Sequence, residues 1–264
     1  GMVYTALDRY RGDRVAIKLE AIDRLSSLQI EAKRLEQLGG SIAPSCRKLG
    51  TDKDFRYIAL ELLGPTLNTM RRLSPNRCLN TETLLRLTSK LLRALEQLHA
   101  CGIVHQDLKP DNIVIDAANP DVVKFIDFGV STTYITPQGQ HVQPGTVRCV
   151  AGTPFYSSLK SQGGSIPTRR DDLESLVYTL VHLGCGSLPW FDSNLTAQQI
   201  TTLKVQHSDA ICRYLPPEFG QLLGYARGLR FDQKPDYKHW ATVFDQRYAV
   251  LQRSHDGLMQ WAAQ

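Results

Sequence analysis

No apolar run in the 264-residue chain approaches the ~20 residues that a membrane-spanning helix needs. The N-terminal stretch carries no signal-peptide pattern either. The six cysteines stand singly, at positions 46, 78, 101, 149, 185 and 212, with no C-x-x-C pair. That spacing excludes a zinc module and a disulfide framework, and it points to a reducing, intracellular setting, cytoplasmic or nuclear. There is no long basic run, zinc-finger spacing or RNA-binding signature. The net charge of +5 is mild for this length and is what a solvated, slightly basic surface gives. Neither nucleic acid nor membrane is therefore an expected partner. Repeats, low-complexity tracts and long linkers are missing too, so no independent domains are marked off. What remains is a chain with 42% hydrophobic residues, ample for a sizeable core in one or two compact lobes.

The stretch His105-Gln106-Asp107-Leu108-Lys109-Pro110-Asp111-Asn112 lies between two short apolar runs, 103–104 and 113–115, and reads as a loop joining two strands. A polar turn and a third run, 122–126, follow and end in Asp127-Phe128-Gly129. A hairpin of this length brings Asp127 back beside Asn112 and Asp107. Two carboxylates, an amide and an ammonium then converge on one small volume. Asp and Asn are hard oxygen ligands suited to Mg²⁺, a Lys balances charge on a transferring phosphoryl group, and a second Asp can receive a hydroxyl proton. One such motif alone would read equally well as turn-forming Asp and Asn.

Upstream, 2–7 alternates weakly, Arg11-Gly12-Asp13 marks a turn, and Val15-Ala16-Ile17-Lys18-Leu19 reads as a strand, together a hairpin. A lysine inside such a run needs a partner if buried; taken alone, Lys18 reads equally as an edge-strand lysine reaching solvent. A helix is expected from Ser26, with Gln29 as its capping-box partner, an apolar face of Leu28, Leu35 and Leu38, and a stop at Gly39-Gly40. Glu31 within it is the candidate partner of Lys18. Residues 56–60 read as a strand broken at Glu61-Leu62-Leu63-Gly64-Pro65; taken alone this is an ordinary strand end. Leucines at helical spacing predict a core helix over 81–100. Residues 171–184 are apolar around most of the circumference, which predicts a buried central helix, with Asp172 capping it and supporting the catalytic loop. Further helices are expected over 196–206, 216–229 and 237–251.

The order H-x-D-x-K-x-x-N followed by D-F-G resembles the signature of eukaryotic protein kinases. VAIKLE (15–20), ELLGPTL (61–67), HQDLKPDN (105–112), FIDFG (125–129), RRDDLESLVYTL (169–180), GSLPW (186–190) and LRFDQKPDY (229–237) together resemble the casein kinase I family, over nearly the whole chain and in its order. Like that branch, the chain lacks A-P-E and has Ser157-Ser158-Leu159-Lys160 after Gly152-Thr153. The resemblance implies an α+β, two-lobed fold: one catalytic domain over 1–264, with a β-rich lobe at 1–62 and a helical lobe at 63–264. It implies a monomeric Ser/Thr protein kinase that uses ATP and Mg²⁺ and takes protein substrates. Lys18 would hold the α and β phosphates, oriented by Glu31. Asp107 would orient the hydroxyl and take its proton, Lys109 would neutralise the γ phosphate, Asn112 and Asp127 would hold Mg²⁺, and Thr153 would brace Asp107 and Lys109. Val3, Ala16 and Val114 would sandwich the adenine. Where the two lobes join, extended backbone around Glu61 and Leu63 would bond an adenine edge, with Leu60 limiting the depth behind it. A column of Leu35, Cys46, His105 and Phe128 would couple helix position to Asp127, which makes His105 a structural histidine.

Three departures from the family pattern qualify this. Only Gly1-Met2-Val3-Tyr4 corresponds to the end of the G-x-G-x-x-G loop, so the first strand and most of that loop are expected to be missing. That would weaken ATP binding, and it sets up the rival expectation of a kinase-like scaffold with little turnover. Gln106 stands where the common motif has Arg; a neutral amide cannot form a forked ionic pair with phosphate, so activity is expected to be independent of activation-segment phosphorylation. Phe155 stands where the family places an Arg that contacts substrate anions, which leaves Arg148, Arg169 and Arg170 as candidate anion contacts, with Arg169 and Arg170 equally readable as structural partners of nearby carboxylates.

Overall fold

The computed structural model describes residues 2–22, 27–117, 119–208 and 210–252. Gly1 and Ser26, to which the sequence reading assigned a loop end and a helix start, lie outside them. The chain opens with strands β1 (Met2–Leu7) and β2 (Arg14–Ala21), helix α1 (Leu28–Leu38), and strands β3 (Cys46–Asp52) and β4 (Phe55–Glu61). The strands form one antiparallel four-stranded sheet in the order β1-β2-β4-β3. Helix α1 stops at Gly39, whose left-handed φ of 66° lets its N–H reach Leu35 O. Leu28, Leu35 and Leu38 are buried, as their spacing predicts.

The second lobe is helical: α2 (Leu67–Leu73), α3 (Thr81–Ala100), α4 (Leu159–Gln162), α5 (Arg169–Cys185), α6 (Ala197–Gln206), α7 (Pro217–Gly228) and α8 (Tyr237–Gln252). Short strands β5 (Ile103–Val104), β6 (Ile113–Ile115), β7 (Val123–Phe125) and β8 (Thr132–Thr133) lie between α3 and α4. β5 pairs with β8, and β6 with β7. The small β-rich lobe and the larger helical part make the two-lobed α+β fold expected from the sequence. None of the described helices is long and apolar enough to cross a membrane.

Helix α3 spans 81–100 as predicted, capped by the Asn80 side chain on Thr83 N, and its leucines enter the core. Helix α5 is buried nearly throughout, polar residues included. Its cap differs from expectation. Thr168 and Asp171 form the capping box, while Asp172 turns inward to the loop after β5. Asp171 is the third helical residue and so faces the cap, whereas Asp172, one step round the helix, faces the core.

His182, on the same helix, is buried and pairs with the Tyr156 hydroxyl at 2.6 Å. Burial, with the Arg71 charge adding, pushes its imidazole down to about 4. Because the folded pKa lies below that of the unfolded chain, the unfolded state takes up the proton first as pH falls, and stability present above pH 6.5 is lost toward pH 4. Denaturant unfolding at pH 6.5 and 4.5 should show wild type losing about 2 kcal/mol more than His182→Gln over that interval; equal losses would exclude His182 as the cause.

Candidate active site

A cavity of about 370 Å³ lies between the two lobes. Lys18 reaches it from β2, with its side chain 14% exposed. Its ammonium lies 2.7 Å from Glu31 Oε2 on α1 and 2.6 Å from Asp127 Oδ1, just after β7. Burial alone would push the Lys18 ammonium down, but the Glu31 and Asp127 carboxylates outweigh it and hold its pKa above the ordinary lysine range. The two carboxylates share the ammonium unequally. Glu31, 2% exposed, is pushed up by burial, which Lys18 offsets only in part. Partial burial also works upward on Asp127, but Lys18 outweighs it and keeps that carboxyl below the usual range.

The loop after β5 supplies the second cluster. Asp107 is 8% exposed. Its Oδ1 accepts Thr153 N at 2.8 Å, and its Oδ2 accepts Lys109 Nζ at 2.7 Å and Asn112 Nδ2 at 2.9 Å. Lys109 also donates to Thr153 Oγ1 at 2.9 Å. The β6–β7 hairpin returns the chain as the spacing predicts: Ile126 N donates to Asn112 O, and Asn112 and Asp127 both line the cavity. Asp107, Lys109, Asn112 and Thr153 thus form one bonded group beside the Lys18, Glu31 and Asp127 group.

Val3, Ala16, Leu60, Glu61, Leu63 and Val114 line the same cavity. Leu60 is buried, and Ala16 pairs with it across β2 and β4. Sequence reasoning did not foresee how Glu61 is fixed. Its carboxylate accepts Lys124 Nζ at 2.9 and 3.0 Å and Ser45 N at 3.0 Å, and Lys124 also pairs with Asp116 at 3.2 Å. The signal was a lysine inside the apolar run of β7, which must find carboxylates once buried.

His105 is fully buried; its ring lies 4.9 Å from Phe128, and its Nε2 lies 3.0 Å from Ile126 O. It is a core residue, as read. Gln106 donates its side-chain amide to Val130 O at 2.8 Å. Arg169 and Arg170 are engaged in the fold instead of presenting an anion site. Arg169 lies over the Tyr134 ring at 4.5 Å and bonds Asp232 O, and Arg170 bonds Leu229 O at 3.2 Å and lies over Phe231.

The chemistry of Asn112 and Asp127 fits a cation. Asn112 commits its Nδ2 to Asp107, which leaves Oδ1 as a neutral oxygen ligand, and Asp127 offers a carboxylate whose side chain is 46% exposed. One carboxylate plus one amide oxygen suits Mg²⁺, which keeps waters and takes phosphate oxygens for the rest of its shell.

Against known families, a family model described as "Protein kinase domain" matches residues 1–230.

Gly152 decides how closely the two loop segments approach. It has φ +86°, and a Cβ there would sit 2.3 Å from Gln106 O. Gly139 has a similar φ of +77° but nothing within 4 Å. Gly152→Ala should therefore lower stability by about 1–3 kcal/mol more than Gly139→Ala, since only the former adds a backbone clash to the strain of φ. Matched denaturant melts decide it, and equal losses would show that the loop yields freely.

Proposed function

Because the chain belongs to the protein kinase family, we propose that it is a Ser/Thr protein kinase of the casein kinase I type, moving the γ-phosphoryl group of ATP to protein hydroxyls. The observation that supports this best is the single bonded group of Asp107, Lys109, Asn112 and Thr153 facing the cavity that also holds Lys18 and Asp127. Kinases of this family generally use ATP with Mg²⁺.

Asp107 is oriented by three donors, so its carboxylate stands ready to align the accepting hydroxyl. It takes that proton as the new oxygen–phosphorus bond forms and the bond to the β-phosphate oxygen breaks, leaving ADP. Lys109 sits against the same carboxylate, where it balances charge on the moving phosphoryl group. Thr153 holds both through its N–H and Oγ1. Lys18, kept charged by Glu31 and Asp127, is the phosphate-binding ammonium. Asn112 and Asp127 would hold Mg²⁺, which supplies positive charge to the phosphate oxygens. Val3, Ala16 and Val114 supply apolar faces for the adenine, and Leu60 closes the back of the pocket. The backbone of Glu61 and Leu63 reads its edge, with the Glu61 side chain held by Lys124. Most of the chemistry is positioning and charge, which is what phosphoryl transfer asks of a protein.

Gln106 is already spent on Val130 O and carries no charge. Activity is therefore independent of a phosphate on the activation segment. Radiolabelled transfer to casein should occur with wild type and fall by at least about a hundredfold in Asp127→Asn, consistent with loss of a preorganised charge. No transfer above that control, with no thermal shift on adding Mg-ATP, would assign the fold a binding role instead. Phosphorylation of Thr132, Thr133, Thr136 or Thr146 should leave the rate within about twofold, since no cationic fork at residue 106 answers it; a large activation would refute that independence.

A further inference from the structure

The loop that carries Thr153 continues into an aromatic step with no role in the transfer just described. Phe155 packs on Phe191 at 4.6 Å between ring centroids, and Phe191 in turn lies 4.7 Å from His182 and 6.3 Å from Tyr156. Phe191 nevertheless remains 44% exposed. Single exposed apolar residues are common and mean little. This one differs because its neighbours are aromatic and the backbone beneath it is immobilised.

That immobilisation is built from three side-chain donors. Lys204, fully buried, donates to Pro154 O at 2.7 Å and Ser157 O at 2.6 Å, with its ammonium over the rings of Tyr178 and Trp190. Trp190 Nε1 donates to Phe155 O at 2.8 Å, and Gln162 Nε2 donates to Pro154 O at 2.9 Å. Three of the carbonyls around Phe155 are thereby tied to the core, so the ring is held ready rather than free to collapse. It lies two residues from Thr153, within about 7 Å along the chain of the group that orients Asp107.

Exposed carboxylates stand by the step. Asp192 follows Phe191 in the chain, Asp111 acts on both Tyr156 and His182, and both carboxylates are exposed. Tyr156 is pushed up by burial, with Asp111 and Asp107 adding. His182 is neutral at pH 7. Arg71, the cation that acts on both Tyr156 and His182, is committed to Arg77 O, Gly186 O and Asn68 Oδ1.

We propose that Phe155 and Phe191 form a substrate subsite for a large apolar side chain, Leu or Phe, within a few residues of the accepting hydroxyl. This rests on the kinase reading only for the statement that the occupant is a segment of the phosphorylated protein. The step selects apolar sequence neighbours and gives no advantage to pre-phosphorylated or acidic ones.

Fluorescence-polarisation binding of Ser-containing peptides tests it. One position at a time, within four residues of the Ser, is set to Leu, Phe, Ala, Asp or phosphoserine. Binding is read without nucleotide on wild type and on Asp127→Asn, while transfer is measured separately, so failure of turnover and failure of the subsite are told apart. Leu or Phe at one favoured position should bind about tenfold or more tighter than Ala, the worth of covering one such side chain. Phosphoserine should do no better than Ala. Phe191→Ala should erase the preference, and Phe155→Arg should turn it toward phosphoserine. Phe191 is exposed, so Phe191→Ala with an unchanged melting temperature reads the subsite and not the fold. Equal binding of Leu and Ala peptides, a phosphoserine preference in wild type, or an apolar preference that survives Phe191→Ala would overturn the proposal.

Discussion

The loop after β5 takes its shape from one buried carboxylate. Asp172, 1% exposed, accepts His105 N at 2.7 Å, Gln106 N at 2.9 Å and His99 Nε2 at 3.0 Å. A carboxylate out of water is tolerated only where hydrogen bonds replace its hydration, and two consecutive backbone amides are available only if the loop bends at this point. Thr179, two turns further along α5, adds a second anchor on Leu108 O. The loop therefore rests on α5, a helix buried nearly throughout, and not only on its own short strands. Burial pushes the His99 imidazole down, against Asp172, so the third donor is a neutral ring clamped between that carboxylate and Tyr237.

A second interaction joins what the first one fixes. The Lys18 ammonium connects the sheet through β2, helix α1 through Glu31, and the segment after β7 through Asp127. That segment is in turn fastened to the loop after β5, through Ile126 N on Asn112 O and His105 Nε2 beside Ile126 O. Charge in one lobe and hydrogen bonds in the other form one connected network around the cavity. A shift of α1 away from the sheet would remove the Glu31 carboxylate from Lys18 and leave the ammonium to Asp127 alone.

The parts of this that could be read from the sequence are those whose signal is local. Helices α3 and α8 follow leucine and aromatic spacing, α1 stops at the glycine that its left-handed cap requires, and the hairpin length placed Asp127 beside Asn112. Strand β3 was missed because its sequence, Cys46–Asp52, has no apolar alternation and contains Gly50; it exists by pairing with β4. Helix α2 buries only Leu67 and α4 has one turn, too little for a periodic signal. The same limit applies to the site. Residues in the loop and hairpin could be grouped from spacing, whereas Lys124 on Glu61 and Lys204 on Pro154 and Ser157 join segments 63, 50 and 47 residues apart. Asp172 was read both as the helix cap and as a support of the loop; the loop contact holds and the cap falls to Asp171, because a rotation of one residue about the helix separates the two roles.

Backbone strain follows the same geometry. Gln106 at φ 69° and Asp127 at φ 65° are non-glycine residues in the left-handed region; Asp127 lines the cavity, and Gln106 precedes Asp107 in the loop after β5. Each such residue costs roughly 1–2 kcal/mol. At Gln106 the opposing term is larger, because two backbone amides reach a carboxylate and such bonds are each worth about 1.5–3 kcal/mol. The bend that aims those amides at Asp172 also sends Gln106 O toward Gly152, where no side chain fits. Gly152 precedes Thr153, and so the close approach that excludes a Cβ is what brings Thr153 N within 2.8 Å of Asp107 Oδ1. The strained residue, the obligatory glycine and the aligned carboxylate are thus successive consequences of one buried charge, and relaxing any of them would move Asp107.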